Sequence, residues 1–441
     1  MPDLGDVLEG LRESGLYRRL RMVESPQGPE VLLDGEPVLL LCSNNYLGLA
    51  DHSRVRCAAS DAAMHWGASA GASRLVSGTM PLHAELEGRL AELKGKPAAL
   101  LFGSGYLANA GVVSALAREG EIVFSDELNH ASIIDGCRLA RAETFVYRHG
   151  DTGHLAWGLK RAGERASLIV TDGIFSMDGD IAPLPELADL SRRHRCRLMV
   201  DEAHGTGCIG PEGRGAVAAA GVGDQVDVVM GTLGKALGSY GAYVCGSQQL
   251  VEYLVNVSRP FIYSTALPPS VVAAASAALE LIAERPGRVE RLAANADALR
   301  AGLREEGFDV PDHGTQIVPL IVRGADDAMA LCERALEHGV FAQAIRPPTV
   351  PRGTSRLRMT AIATHRVADL RRAARVIGEA ARELGLAPRV AERGEAATAA
   401  GGAGAGGCPG IARRATPVEA AKPPAHPGAE PPPDASLPRA A

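Results

Sequence analysis

Three apolar runs, each ending in polar side chains, constrain this chain more than any other feature. Ser167-Leu-Ile-Val-Thr171 ends at Asp172 and leads into Phe175-Ser-Met-Asp-Gly179. Leu198-Met-Val200 ends at Asp201, and His204 follows three residues on in Asp-Glu-Ala-His-Gly. Val226-Asp-Val-Val-Met230 runs into Gly231-Thr-Leu-Gly-Lys-Ala-Leu-Gly238, which carries Thr232 and Lys235. Short apolar runs bounded by turn residues read as buried strands, and their alternation with helical stretches predicts a mostly parallel, doubly wound α/β sheet. Ligands of such sheets sit beyond the carboxyl ends of the strands. Ser176, Asp201, His204, Thr232 and Lys235 would therefore converge on one crevice.

Lysine usage sharpens this. Of 46 basic residues only five are lysine: Lys94, Lys96, Lys160, Lys235 and Lys422. Lys94 and Lys96 flank a glycine in a polar turn, Lys160 sits among Arg and Glu, and Lys422 lies in a Pro-rich stretch, so these four read as solvated. Lys235 stands among small residues at a strand end, where an amine loses hydration and its pKa falls toward neutrality. That suits Schiff-base chemistry, which arginine could not perform; a buried salt-bridge lysine is the other reading of the same residue. A carboxylate, an imidazole, two hydroxyls and one amine are what a pyridinium phosphate aldehyde requires. Upstream, Ala98–Phe102 reads as a strand, Gly103-Ser-Gly105 as a turn and Tyr106–Ala115 as a helix. Glycines let backbone close on an anion, and free N–H groups at a helix start attract it.

Bulk properties exclude several classes. A net charge of −6 argues against a nucleic-acid or anionic-membrane surface. The eight cysteines lack a Cys-x-x-Cys pair or metal-ligand spacing, so they read as reduced thiols of a cytoplasmic protein with no metal site. No apolar run approaches the roughly 20 residues of a membrane helix, and the acidic N-terminus lacks a signal-peptide core. With 46% hydrophobic residues in 441, the chain can bury a large core. Four parts are expected: an N-terminal segment (1–45), a large domain (46–285), a small C-terminal domain (286–386) and a disordered Ala/Gly/Pro-rich tail (387–441). The small domain begins where Ala283-Glu-Arg-Pro-Gly-Arg288 interrupts a long helix. Residues 1–45 hold an amphipathic start (Val7, Leu8, Leu11, Leu16, Leu20) and two extended pieces.

Six stretches carry a family resemblance: Ser43-Asn-Asn-Tyr-Leu-Gly48, Ser73-Arg-Leu-Val-Ser-Gly78, Asn129-His-Ala-Ser132, Phe175-Ser-Met-Asp-Gly179, Asp201-Glu-Ala-His-Gly205 and Ile345-Arg-Pro-Pro-Thr-Val-Pro351. Over roughly residues 15–386 the chain resembles the α-oxoamine synthase family of fold-type I pyridoxal 5′-phosphate (PLP) enzymes. The resemblance implies a large PLP-binding domain with a smaller C-terminal α/β domain. It implies PLP as cofactor, with Lys235 forming the Schiff base, Asp201 pairing the pyridine nitrogen, His204 at the phenolic oxygen and His130 stacked on the ring. From its residues alone, His130 reads as a histidine at a helix N-terminus. Thr232 is implied at the phosphate, Ser176 at the cofactor or the adjacent histidine, and Gly105 and Tyr106 in contact with PLP. Ser264 and Thr265 are implied to come from the partner subunit of a homodimer whose active sites lie at the interface.

Arg358 is implied to grip the substrate carboxylate. Arg356 shares its strand face, so periodicity does not separate the two, and the choice of Arg358 follows the family pattern. Arg18, Asn44 and Thr349 are implied substrate contacts. Ser73–Gly78 and Ile345–Pro351 resemble the branch that condenses L-alanine with pimeloyl-CoA or pimeloyl-acyl carrier protein, losing CO2. Glycine-using and serine-using members share the PLP residues. A ligand-sensing module of a transcription regulator is the alternative from another class, but residues 1–45 are too short and not basic enough for a DNA-binding module.

Overall fold

The computed structural model describes residues 3–386; the tail expected over 387–441 lies outside the described residues. Near the N-terminus, β1 (Glu30–Leu33) and β2 (Glu36–Leu40) form an antiparallel pair. Seven strands follow: β3 (Ala98–Phe102), β4 (Ile122–Asp126), β5 (Glu143–Tyr147), β6 (Ala166–Asp172), β7 (Arg197–Asp201), β8 (Val228–Thr232) and β9 (Ala242–Gly246). Four more lie further on: β10 (Ile317–Arg323), β11 (Val340–Phe341), β12 (Gln343–Ile345) and β13 (Ser355–Thr360).

The seven form one sheet in the order β3-β9-β8-β7-β6-β4-β5. From β8 to β5 every pair is parallel, while β9 runs antiparallel to both β3 and β8. β6 is buried along its whole length and β7 all but its first residue, because helices cover both faces; such strands read as continuous apolar runs. Asp172 lies opposite Asp201, and Asp201 opposite Met230, two residues before Thr232. The polar ends of β6, β7 and β8 are thereby aligned along one edge, as the three runs predicted.

β10, β13 and β12 form a second, antiparallel sheet, and β11 pairs parallel with β2. Helices Pro269–Glu284 and Gly287–Glu305 meet at the expected break beside Pro286. Gly238, at φ +58°, packs where a Cβ would strike the backbone of Leu49 and Ala50, so the turn after Lys235 is pinned against the segment that follows Asn44.

Two expectations fail. Lys94 is not solvated: its side chain is 2% exposed, its amine is paired with Glu202, and it donates to the Arg214 carbonyl at 2.6 Å. Lys96 donates to the carbonyls of Gly223, at 2.6 Å, and Val226. Burial lowers the Lys96 pKa. Lys94 ends a helix (Pro81–Lys94) and Lys96 follows its Gly95 cap, so both face the loops around 211–226, and long aliphatic stems let each ammonium reach carbonyls below the surface. Lys160 is exposed as expected. At the N-terminus the helix spans Leu4–Glu13 only, so Leu16 and Leu20 fall outside it.

Candidate active site

The site is built from the carboxyl ends of the sheet strands outward. Asp201, the last residue of β7, is 3% exposed. One of its carboxylate oxygens accepts from Asn109 Nδ2 at 2.8 Å and the other from the Ala203 N–H at 2.8 Å. Asn109 sits on the helix Gly105–Leu116 that follows β3. Asp172, ending β6, accepts the His130 N–H at 2.7 Å. Burial and the neighbouring Asp201 carboxylate push the Asp172 carboxyl well above the usual range.

Lys235, three residues past β8, lies with its amine 2.9 Å from His204 Nε2. Burial lowers its pKa to about 8, with the Arg358 cation adding to the shift and Asp201 opposing it. His204 is held well below its ordinary pKa by burial and by the charges of Lys235 and Arg358, so its imidazole is neutral. His204 Nδ1 lies 2.7 Å from the Tyr46 hydroxyl, which donates to Asn44 Oδ1 at 2.9 Å. One set of roles satisfies all of them: Lys235 donates to Nε2, Nδ1–H donates to Tyr46, and Tyr46 donates to Asn44. Arg358 closes the network, donating to Tyr46 at 3.3 Å, to Asn44 at 3.4 Å and to the Ser176 carbonyl. Arg356, two residues away on β13, is instead paired with Asp178.

His130 stands at a helix N-terminus, as its residues alone implied. It caps the helix Ala131–Leu139, its Nδ1 lying 2.7 Å from the Ser132 hydroxyl. Its ring also lies close enough to Asp201 and Lys235 for both charges to act on it, although burial dominates and lowers its pKa. Ser176 stands half-buried in the hairpin after β6 and meets Arg358 through its carbonyl.

The residues present fit a phosphate-bearing pyridine aldehyde. Thr232 Oγ1 and Asn109 Oδ1 are buried without hydrogen-bond partners in the protein. A Cβ on Gly105 would come 2.8 Å from the Thr232 side chain, so only glycine leaves the approach open there. Ser104 caps the helix that begins at Gly105, accepting from Leu107, and this puts first-turn N–H groups beside Thr232. A buried carboxylate and a part-neutral amine complete the donor set.

The other expected residues make no hydrogen bond to this network. Tyr106 is exposed and bonded to Asp135. Ser264 and Thr265 line a small cavity with Gly103 and Arg74, and Thr265 bridges to Ser73. Arg18 and Thr349 both line a cleft of ≈ 1020 Å³ together with Arg19 and Arg346; neither Lys235 nor Arg358 lines it. Reasoning from sequence missed Tyr46, Asn109 and Asp172. Tyr46 lay inside a motif quoted above, and Asp172 ends its strand as Asp201 does. Asn109 is a lone amide in an otherwise apolar helical stretch, which was its only signal.

The model of the family described as aminotransferase class I and II matches residues 36–377. The chain is 54% identical over 386 residues to an 8-amino-7-oxononanoate synthase of Geobacter metallireducens, covering 86% of this chain and 98% of that protein. It is 53% identical over 382 residues to the 8-amino-7-oxononanoate synthase of Geobacter sulfurreducens, again covering 86% and 98%. Among solved structures, a serine palmitoyltransferase from S. paucimobilis with PLP bound superposes with a TM-score of 0.83 at 34% identity, covering 87% of this chain and 98% of that one. An 8-amino-7-oxononanoate synthase from Francisella tularensis superposes with a TM-score of 0.69 at 26% identity, covering 79% and 98%.

Proposed function

The chain belongs to the class I and II aminotransferase family, and from that premise we propose that it is a PLP-dependent acyltransferase with the 8-amino-7-oxononanoate synthase activity of biotin synthesis. It condenses L-alanine with a pimeloyl thioester, carried on coenzyme A or on acyl carrier protein, and releases 8-amino-7-oxononanoate, CO2 and the free thiol. The observation that carries this is the Lys235 amine, held part-neutral against a neutral His204 and linked through Tyr46 to Arg358. It stands in a chain more than 50% identical to relatives that bear that enzyme name.

When bound, PLP supplies an aldehyde for the Schiff base and a ring that accepts the electron pair left on the substrate carbon. Lys235, Asp201, Thr232, Asn109 and the turn at Gly105 would hold it. Asp201 offers a buried carboxylate to the pyridine nitrogen, and Asn109 and the Ala203 N–H keep that carboxylate aimed. His204 stays neutral, so it serves Lys235 as a hydrogen-bond acceptor and adds no competing charge. With a pKa of about 8, Lys235 is partly neutral near pH 7, as both a nucleophilic amine and a base for the substrate Cα proton must be. Arg358 takes the amino-acid carboxylate through its guanidinium fork. With the carboxylate held by Arg358, the Cα–H bond rather than the Cα–carboxylate bond would be the one presented to the Lys235 amine.

Four readings complete the proposal. Ser264 and Thr265 act across a homodimer interface, a reading supported by the exposure of Tyr106, Tyr240, Tyr263 and Val76 on flanking segments. Arg18 and Thr349 meet the donor in the cleft they share. A small C-terminal domain begins near residue 286. The protein works in the cytoplasm, in keeping with seven free cysteines among the described residues; among those residues no helix is long and apolar enough to cross a membrane.

A serine-using reading is favoured by one observation, the higher TM-score to the palmitoyltransferase. Steady-state rates with alanine, glycine and serine, crossed against pimeloyl, succinyl, acetyl and palmitoyl thioesters, decide between them. A single methyl is discriminated by only about 1–3 kcal/mol in an apolar pocket, so alanine should lead glycine by roughly tenfold to a hundredfold. A higher kcat/KM for serine with palmitoyl thioester would overturn the oxononanoate assignment.

A further inference from the structure

Outside the Lys235 cluster, one histidine is held by two carboxylates. His149 Nδ1 lies 3.0 Å from Asp126 Oδ1, and its Nε2 lies 2.9 Å from Asp180 Oδ2. Asp126 ends β4 and is itself fixed by the N–H groups of Leu128 and Gly150, both at 2.9 Å. The Phe175 ring stands edge-on to the imidazole, 4.4 Å between centroids. The two carboxylates raise the His149 pKa to about 10, so the ring is a cation that donates from both nitrogens.

What the imidazole holds gives it a consequence for the site. Asp180 belongs to a hairpin that leaves β6, closes through the bridge between Ile174 and Ile181, and is tied by the Phe175 N–H donating to the Asp180 carbonyl at 3.0 Å. The tip of that hairpin meets both arginines of β13: the Ser176 carbonyl accepts from Arg358, and Asp178 pairs with Arg356. Arg358 thus takes its place from Asn44 and Tyr46 on one side and from this hairpin on the other. We propose that His149 is a positioning residue that anchors the 173–182 hairpin to the end of β4 and thereby sets the guanidinium of Arg358 for the substrate carboxylate. This rests on Arg358 as the carboxylate ligand.

The test uses the PLP-loaded enzyme and an absorbance titration with alanine, glycine and serine, compared among wild type, His149→Ala, Asp180→Asn and the double variant. Whichever amino acid the wild type binds tightest serves as probe, so the wild-type preference tests the substrate reading and the variant-to-wild-type ratio tests the anchor. His149→Ala should raise the Kd of the probe amino acid roughly tenfold, since small misplacement of a binding group is costly, while the KM of the thioester changes less than twofold. Asp180→Asn keeps the geometry but loses the charge, so its rise should be smaller. The double variant should bind no more weakly than His149→Ala, because both changes break one link. Unchanged Kd in a folded His149→Ala protein, or equal weakening toward amino acid and thioester, overturns the proposal. Should that variant not fold, the same Kd criterion applies to Asp180→Asn, which removes only one charge from a partly exposed carboxylate.

Discussion

The two sides of one short turn, Asp201 to His204, hold lysines of opposite character. On the side facing the strand ends, Lys235 meets an imidazole, and Asp201 acts on it without contact. On the far side, Lys94 meets the carboxylate of Glu202 directly, and that carboxylate also accepts the Val217 N–H. Both amines are buried, so burial by itself does not make a lysine reactive. The difference is the partner: a contacting carboxylate supplies a full counter-charge to a buried amine, whereas a neutral imidazole supplies only a hydrogen bond and offsets less of the desolvation cost. The turn is therefore held differently on its two sides, with His204 against the Lys235 amine on one and Glu202 paired with Lys94 on the other.

Removing Lys235 should have the largest effect. Lys235→Ala should lower turnover by at least about 10³-fold, because the proposed Schiff-base anchor and proton acceptor would be lost together. Its unfolding curve should stay close to wild type, and borohydride reduction of the PLP-loaded wild type should label Lys235 alone. Labelling of Lys94 would collapse the distinction between the two lysines.

The reverse pattern is expected behind the turn. Glu202→Gln leaves the Lys94 cation buried without its counter-charge and should destabilise the fold by about 3–5 kcal/mol. Denaturant unfolding measures this, and a loss under 1 kcal/mol would mean that Lys94 finds water or sheds its proton.

The arginines on β13 should separate next. Arg358→Lys should raise the amino-acid Kd roughly tenfold by losing the planar fork, whereas Arg356→Lys, which keeps a charge beside Asp178, should change it by less than about threefold. Equal effects would place both guanidiniums on the substrate.

The smallest signal is in pH. Burial disfavours the protonated form of Lys235, so its amine is freed at lower pH than an exposed lysine's. Schiff-base formation between apoprotein and PLP should quicken with rising pH about a midpoint near 8, not near the roughly 10.4 of a solvated amine. Stopped-flow absorbance across pH 6 to about 10.5 reads this directly.

Much of this was legible before any coordinates. The apolar runs at 167–171, 198–200 and 226–230 became adjacent strands with their polar ends aligned, because strand and helix periodicities are local and the parallel sheet follows from their alternation. The helix break beside Pro286 was legible for the same reason. Lys235 sits where its small neighbours implied, while the polar turn around Lys94 and Lys96 proved to be packed against loops more than a hundred residues away.

By itself, the sequence determined the sheet and the order of chemical groups along its edge. Tertiary structure alone decided which lysine is paired and which is free to react, which of two arginines on one strand face turns to the site, and that Tyr46 joins His204 across 158 residues of chain. The physical reason is range. Backbone periodicity is written in neighbouring residues, whereas a pKa or a hydrogen-bond partner depends on whatever the fold brings within a few ångströms, which no local pattern records.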